Sequence, residues 1–236
     1  MKGNAVIDPA HSRSIAAGLL LDAGCVTLFA DEPFRLPSGW ASPAYMDCRR
    51  LISFPLIRRA LVTMGLDLLR AEGALEGIAG VAGGESSGIA IAAWMADLLD
   101  LPLQYVRKKP KGQGQVEGLV ARGSKVLLVD DLLAAGQSKV TFSRALREAG
   151  ALVRDVFVVF DYGTFGADRM LESMALRVHA LTSWHDVLLM AGKRQGFDPR
   201  GLSELQAFLD DPSRWSMAHG GIAGPLPPRG LEERQQ

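Results

Sequence analysis

The sequence predicts an α/β fold: a central, mainly parallel sheet flanked by helices, with a small hood near the N-terminus. Three observations carry this. From residue 77 onward, short apolar runs alternate with helix-length stretches, the pattern of strands joined by right-handed helical crossovers. The run Val126–Val129 (VLLV) is continuously apolar, as a parallel strand covered on both faces has to be. The chain has 236 residues with 48% apolar side chains, which suits one domain with a substantial core.

Ser12 or Ser14 can cap a first helix whose apolar positions Ile15, Leu19, Leu20 and Ala23 fall on one face before Gly24. Residues 34–47 change character. Phe34 and Leu36 alternate, Pro37-Ser38-Gly39 is a turn, and Tyr45-Met46-Asp47 can extend again, so a hairpin or hood off the main sheet is expected over about 25–55. Ser53-Phe54-Pro55 opens a helix with proline in the first turn, where its missing N–H is harmless, and this helix runs to Gly73. Gly77–Ala82 reads as a strand and Ile89–Leu99 as a helix. Leu103–Val106 is the next strand and Val126–Val129 the one after it. Ser138–Ala149 reads as a helix, and Val153–Phe160 and Leu176–Leu181 as strands. Two helices near 184–194 and 203–209 close a single domain spanning 1–218. The tail 219–236, rich in Gly, Pro and charge, is expected to be mobile.

Lysine and arginine total 26, as do aspartate and glutamate, and a net charge of zero argues against a dedicated nucleic-acid binder. Cys25 and Cys48 are too few for a disulfide scaffold and lack metal-ligand spacing; two reduced core thiols are expected. No apolar run suits a signal peptide or approaches the ~20 residues of a membrane span, so a cytoplasmic protein without membrane contact is expected.

Chemistry concentrates in VLLVDDLLAAGQS, residues 126–138. A buried strand delivers adjacent carboxylates, Asp130 and Asp131, to its C-terminal end, where ligands bind in open α/β sheets. The turn Ala134-Ala135-Gly136 then opens a helix. Backbone N–H groups at such a turn, aided by the helix N-terminus, suit a phosphate, and Gly136 lets the backbone come close to it. An acid pair cannot attract phosphate. It can accept hydrogen bonds from two vicinal hydroxyls, or contact magnesium through water. Sugar hydroxyls beside a terminal phosphate describe a ribose 5-phosphate.

Competing phosphate motifs fail: no G-x-G-x-x-G follows a strand, and GLVARGSK at 118–125 precedes a strand and has Ser before Lys. A second segment, YVRKKPKGQGQVEG at 105–118, puts Arg107, Lys108, Lys109 and Lys111 within five residues, while Pro110, Gly112 and Gly114 bar a helix. A flexible cationic loop after a strand of the same sheet suits a mobile lid that clamps an anion and excludes water. The four histidines, His11, His179, His185 and His219, lie away from these segments and read as structural or surface groups.

The thirteen residues 126–138 resemble the signature of type I phosphoribosyltransferases that binds 5-phosphoribosyl 1-diphosphate (PRPP). The lid resembles the RK-x-x-K-x-H-G loop of the orotate phosphoribosyltransferases, which lies in front of the acid-pair strand. The hood matches that family's F-x-L-x-SG-x-x-SP-x-Y-x-D-x-R…FP at Phe34, Leu36, Ser38, Gly39, Ser42, Pro43, Tyr45, Asp47, Arg49, Phe54 and Pro55. GGESSGI at 83–89 is similar to its GGETAGI loop, and the whole likeness runs from about residue 12 to 215.

The resemblance implies the type I phosphoribosyltransferase fold and transfer of 5-phosphoribose from PRPP to orotate, with magnesium bound mainly through PRPP. It implies that Asp130 and Asp131 hold the ribose hydroxyls, and that Ala134, Ala135, Gly136, Gln137 and Ser138 cradle the 5′-phosphate. Arg107, Lys108 and Lys111 would bind the diphosphate, with Glu85, Ser86 and Ser87 on its other side; Lys108, Lys111 and the acid pair are then the catalytic candidates. Ser38 and Tyr45 would help enclose the pyrimidine. It further implies a homodimer in which the lid reaches the neighbour's site.

Four positions depart from the family pattern. Pro37 stands where many members have lysine, and Gln113 replaces the loop histidine and cannot act as an acid near neutral pH. Ala134 and Gln137 stand where threonines are usual, which removes hydroxyl donors but leaves the backbone and Ser138. Two alternatives stay open: transfer to another base, or a non-catalytic PRPP-binding regulator.

Overall fold

The computed structural model describes residues 9–29, 31–36, 38–112 and 114–223. Its centre is a six-stranded sheet. In chain order the strands are β5 (Ile78–Gly84), β6 (Leu103–Lys111), β7 (Gly114–Glu117), β8 (Lys125–Leu133), β9 (Asp155–Asp161) and β10 (Arg177–Ser183). Their spatial order is β10-β9-β8-β5-β6-β7, parallel throughout except that β7 runs antiparallel to β6 at one edge. The expected mainly parallel α/β sheet is therefore present.

Alternation along β8 explains the two layers. Leu127 and Val129 enter one apolar cluster, Val126 and Leu128 the other. The first cluster is covered by α1 (Pro9–Asp22), α2 (Pro55–Ala71), α3 (Ser87–Leu99) and α6 (Trp184–Ala191). The second is covered by α4 (Gln137–Glu148) and the short α5 (Ala167–Ser173). A C-terminal pair, α7 (Pro199–Asp210) and α8 (Pro212–Ala218), extends the first layer. Asp–Pro steps start both: the Asp198 and Asp211 carboxylates accept the N–H groups of Arg200 and Arg214 at 3.0 and 2.9 Å.

The hood consists of two small antiparallel pairs, β1 (Val26–Leu28) with β4 (Ala44–Met46) and β2 (Phe34–Arg35) with β3 (Ala41–Ser42), followed by a 3-10 helix at Cys48–Ser53. Residues 219–223, placed by sequence in the mobile tail, pack on this hood. The Ser216 hydroxyl accepts the Ala41 N–H at 3.0 Å and donates to the Ile222 carbonyl at 2.7 Å, and the Ile222 N–H reaches the Gly39 carbonyl at 3.2 Å. Residues 224–236 lie outside the described residues.

Three further expectations change. Helix α1 begins at Pro9, so Ser12 and Ser14 sit within it; its buried stripe is Ala16, Ala17, Leu20 and Leu21, and Ile15 is 39% exposed. Small side chains win that face because α1 lies against α6 and β10. Helix α3 starts at Ser87, two residues early, because β5 extends through Gly83 and Gly84. The lid is a hairpin of β6 and β7, not an irregular loop: Val106 pairs with Val116 and Lys111 with Gly114. Pro110 is tolerated because the pairing register is interrupted between those two pairs.

Packing is close where α2 crosses the sheet. A Cβ on Gly65 would lie 2.4 Å from the ring of the fully buried Phe157. Gly65→Ala is expected to cost about 1–3 kcal/mol by overpacking. At about 2–4 °C per kcal/mol for a chain of this size, thermal melting reads the loss directly, and an unchanged Tm would refute the tight crossing.

Candidate active site

From β5 the chain moves outward to β6 and β7, then returns on the other side of β5 to lay down β8, β9 and β10. The strand order therefore reverses between β5 and β8. In open α/β sheets a crevice forms at that point, beyond the carboxyl ends of the strands. Strand β5 delivers Gly83-Gly84-Glu85-Ser86 there, with a cis peptide bond between Glu85 and Ser86, and β8 delivers Asp130 and Asp131. The two loops touch. A Cβ on Gly88 would lie 2.5 Å from the Val129 carbonyl oxygen and 2.9 Å from Asp130 Oδ1, so only glycine lets the first turn of α3 rest against the acid pair.

The two carboxylates have different surroundings. Asp130 is 6% exposed and meets Lys139, itself 3% exposed, with Nζ 2.5 Å from Oδ2. The same ammonium donates to the Leu132 carbonyl at 2.5 Å and to Ser138 Oγ at 3.3 Å. Asp130 Oδ1 accepts the Asp131 N–H at 3.0 Å. Asp131 is half-buried and accepts the Leu132 N–H at 2.9 Å. Burial, and next the charge of Asp130, push its carboxyl up to about 7.

Lys139 was missed by sequence reading, although a signal existed. Positions 139, 142, 143 and 146 follow the i, i+3, i+4, i+7 spacing of one helix face, and all four are buried in α4. A lysine on that stripe has to find an anionic partner.

Ala134, Ala135 and Gly136 form the turn before α4, with Gln137 exposed and Ser138 half-buried on its first turn. Gly136 has φ 78°, which a side chain would strain, and a Cβ there would also meet Met170 at 2.8 Å. On the other side of the crevice Glu85, Ser86 and Arg107 through Lys111 line a groove of about 530 Å³. Glu85 Oε2 accepts the Lys108 N–H at 2.6 Å, which ties the base of the hairpin to the β5 loop. Ser87 opens α3 and does not line the groove. Arg107 is engaged sideways, with Glu117 at 2.8 Å and the Tyr105 hydroxyl at 3.1 Å, and the Glu117 hydrogen bond raises the guanidinium further above its ordinary value.

The hood supplies the third wall. The Met46 N–H donates to the Tyr162 hydroxyl at 3.2 Å, anchoring β4 to the segment after β9, and the 3-10 helix packs on β8. The Tyr45 hydroxyl takes a hydrogen bond from Arg49 at 3.0 Å, Arg49 also holds Asp47 at 2.6 Å, and Phe34 lies on the Tyr45 ring at 4.4 Å. The 3-10 helix that carries Cys48 and Arg49 packs on β8, the strand of the acid pair, and burial pushes the Cys48 thiol well up. Ser38 sits in the β2–β3 turn, and the structure places the C-terminal segment beside that turn through the Ile222–Gly39 contact. Pro37 and Gln113 lie outside the described residues. Among the described residues no three His, Cys, Asp or Glu side chains converge on a metal position, and no helix is long and apolar enough to cross a membrane.

Residues 77–171, from the start of β5 through α5, match the phosphoribosyl transferase domain. Over 220 residues the chain is 43% identical to an orotate phosphoribosyltransferase of Dinoroseobacter shibae, covering 92% of this chain and 97% of that one. The chain belongs to the orotate phosphoribosyltransferase family. A second relative of that name, from Rhizobium johnstonii, is 41% identical over 92% of this chain and 95% of its own length. Among solved structures, the orotate phosphoribosyltransferase of Aeropyrum pernix superposes with a TM-score of 0.65 at 32% identity, covering 75% of this chain and 98% of that one. The UMP synthase of Leishmania donovani superposes with a TM-score of 0.76 at 28% identity, covering 86% of this chain and 43% of that longer one. For a member of the orotate phosphoribosyltransferase family, the crevice between β5 and β8 is where the reacting groups are to be sought.

The raised Asp131 carboxyl has a consequence for stability. Its folded value, about 7, lies above the ~3.9 of an unfolded aspartate, so the unfolded chain ionises first as pH rises. The native state loses ground from about pH 4 up to about pH 7, and the loss is then complete. Asp131→Asn is expected to raise Tm at pH 8 by at least about 2 °C, with the gain shrinking toward pH 5. A Tm difference that does not depend on pH would refute the raised value.

Proposed function

We propose that this chain transfers 5-phosphoribose from PRPP to orotate, giving orotidine 5′-monophosphate and diphosphate. The carrying observation is the convergence at one strand-order reversal of an acid pair, a glycine turn opening a helix, and a cationic groove. Each suits one part of PRPP. Asp130 and Asp131 accept the ribose hydroxyls; the turn from Ala134 to Ser138 offers backbone N–H groups and one hydroxyl to the 5′-phosphate. The groove between Glu85–Ser86 and Arg107–Lys111 takes the diphosphate. Tyr45, on the hood strand β4, borders the base, and Ser38 closes the hood farther along.

A ring nitrogen of orotate forms its bond to the anomeric carbon as the carbon–oxygen bond to diphosphate breaks; that electron pair leaves with the diphosphate, and the proton of the ring N–H is released to solvent. The chain needs no covalent nucleophile. It orients the two reactants and places lid cations where negative charge grows. Magnesium, bound mainly through PRPP, would supply further positive charge to the leaving group.

The direct test follows orotate absorbance with purified protein, PRPP and magnesium. Turnover that requires PRPP and falls at least about 100-fold in the Asp130→Ala/Asp131→Ala variant, two lost charged hydrogen-bonding partners at about 1.5–3 kcal/mol each, is the expected result. No conversion of orotate, with PRPP still bound in calorimetry, would favour the regulatory alternative. Lys111→Ala is expected to lower kcat far more than it weakens PRPP binding, because the lid charge matters most as diphosphate departs. A loss of affinity with kcat intact would make the hairpin a binding element only.

We also assign the hairpin tip to the neighbouring subunit of a two-fold dimer. Its support is the family likeness and the place of β6–β7 at the sheet edge with Lys108, Lys109 and Lys111 exposed. Mixing Lys111→Ala with the Asp130/Asp131 double variant, under subunit exchange, should regenerate one good site in each mixed dimer. About half the dimers are mixed, so about a quarter of wild-type activity should return. No activity after exchange verified by mass would place the lid in its own chain's site.

A further inference from the structure

An acid pair at the end of a buried strand presents up to two negative charges in a site that excludes much of the surrounding water. A divalent cation is the usual counterweight to such an arrangement, and hard cations take carboxylate oxygens readily. Here one carboxylate already has a cation. The Lys139 ammonium has three protons, and three acceptors surround it: Asp130 Oδ2, the Leu132 carbonyl and Ser138 Oγ. The side chains of Lys139 and Asp130 are 4% and 8% exposed. The lysine reaches from the first turn of α4 across the turn 132–138 to the strand end, so it ties the acid pair to the phosphate turn.

A metal ion at Asp130 would have to displace Lys139 from Oδ2. That would leave an ammonium buried without its counter-ion, which is far costlier than leaving an existing pair intact. Asp130 Oδ1 accepts the Asp131 N–H and keeps a lone pair that suits a neutral hydroxyl, whereas a divalent cation there would lie against that N–H and near the Lys139 charge. We propose that Lys139 is the resident cation of the acid pair, a positioning residue that keeps divalent metal off Asp130 in the free protein, so that metal reaches the site only with its substrate. The proposal deepens the PRPP reading, and on that reading the site would not need to assemble a metal before PRPP arrives.

The test uses Mn²⁺ as the probe, followed by electron paramagnetic resonance on the full-length protein without PRPP or orotate. Wild-type protein is expected to show no Mn²⁺ site that Asp130→Asn removes. Lys139→Met, which keeps length and loses charge, is expected to gain one such site, at least about tenfold tighter than any wild-type binding, a difference of about 1.4 kcal/mol. Adding Asp130→Asn to Lys139→Met should abolish it, and Lys139→Arg, which keeps the charge, should exclude Mn²⁺ as the wild type does. Folding of each variant is checked by circular dichroism. A wild-type Mn²⁺ site lost in Asp130→Asn overturns the proposal even if Lys139→Met does not fold, and so does a folded Lys139→Met that gains nothing. The titrations contain no substrate, so they stand apart from the orotate assay. If metal exclusion holds and orotate is not converted, the reaction assignment falls and the role of Lys139 remains.

Discussion

The site depends on one close approach, that of the first turn of α3 to the end of β8. Gly88 sits against the Val129 carbonyl and the Asp130 carboxylate at distances that no Cβ could occupy. That contact joins the start of α3 to β8, and the segments around these two elements carry the two halves of the crevice. The sheet order makes the crevice possible, because the chain leaves β5 on one side and returns on the other. The glycine makes it narrow. Hairpin, glycine turn and hood are then arranged around a gap whose width is set by backbone and not by side-chain packing.

Electrostatics divides the gap. The chain is neutral as a whole, with 26 charges of each sign, yet its ends are not mixed evenly around the crevice. Lys108, Lys109 and Lys111 are exposed on the hairpin, whereas on β8 Asp130 is buried and Asp131 half-buried. Exposed cations are cheap to keep and free to move toward an anion. Buried carboxylates hold fixed directions because their surroundings fix them. A substrate with a charged end and a hydroxylated middle finds matching surfaces without any excess of net charge on the protein.

Much of this was legible in the sequence, for physical reasons that differ by element. Strands β5, β8 and β9 were readable because parallel strands covered on both faces must be apolar throughout. The acid pair stood out because two carboxylates after such a run have no packing purpose. The short helices α5 and α8 were missed because seven residues give too little periodicity, although the Asp211-Pro212 step did announce α8. The hairpin was read as a loop because glycine and proline dominate local preference, and only the neighbouring edge of β6 reveals that the segment pairs. Lys139 escaped because a lysine is assumed to be solvated until its partner is seen. The placement of Ser38 beside residues 216–222 depends on a contact between distant parts of the chain, which no local pattern encodes.

That contact has a consequence for the order of assembly. The hydrogen bond from Ala41 to Ser216 spans 175 positions, while the crevice between β5 and β8 is built from segments far nearer one another in the chain. Closing a long loop costs more entropy than closing a short one, and contacts of large sequence separation form late. The β5–β8 crevice is therefore expected to form before residues 216–222 close on the hood. Assembly runs in two instalments, with the crevice first and the docking of the C-terminal segment on the hood last.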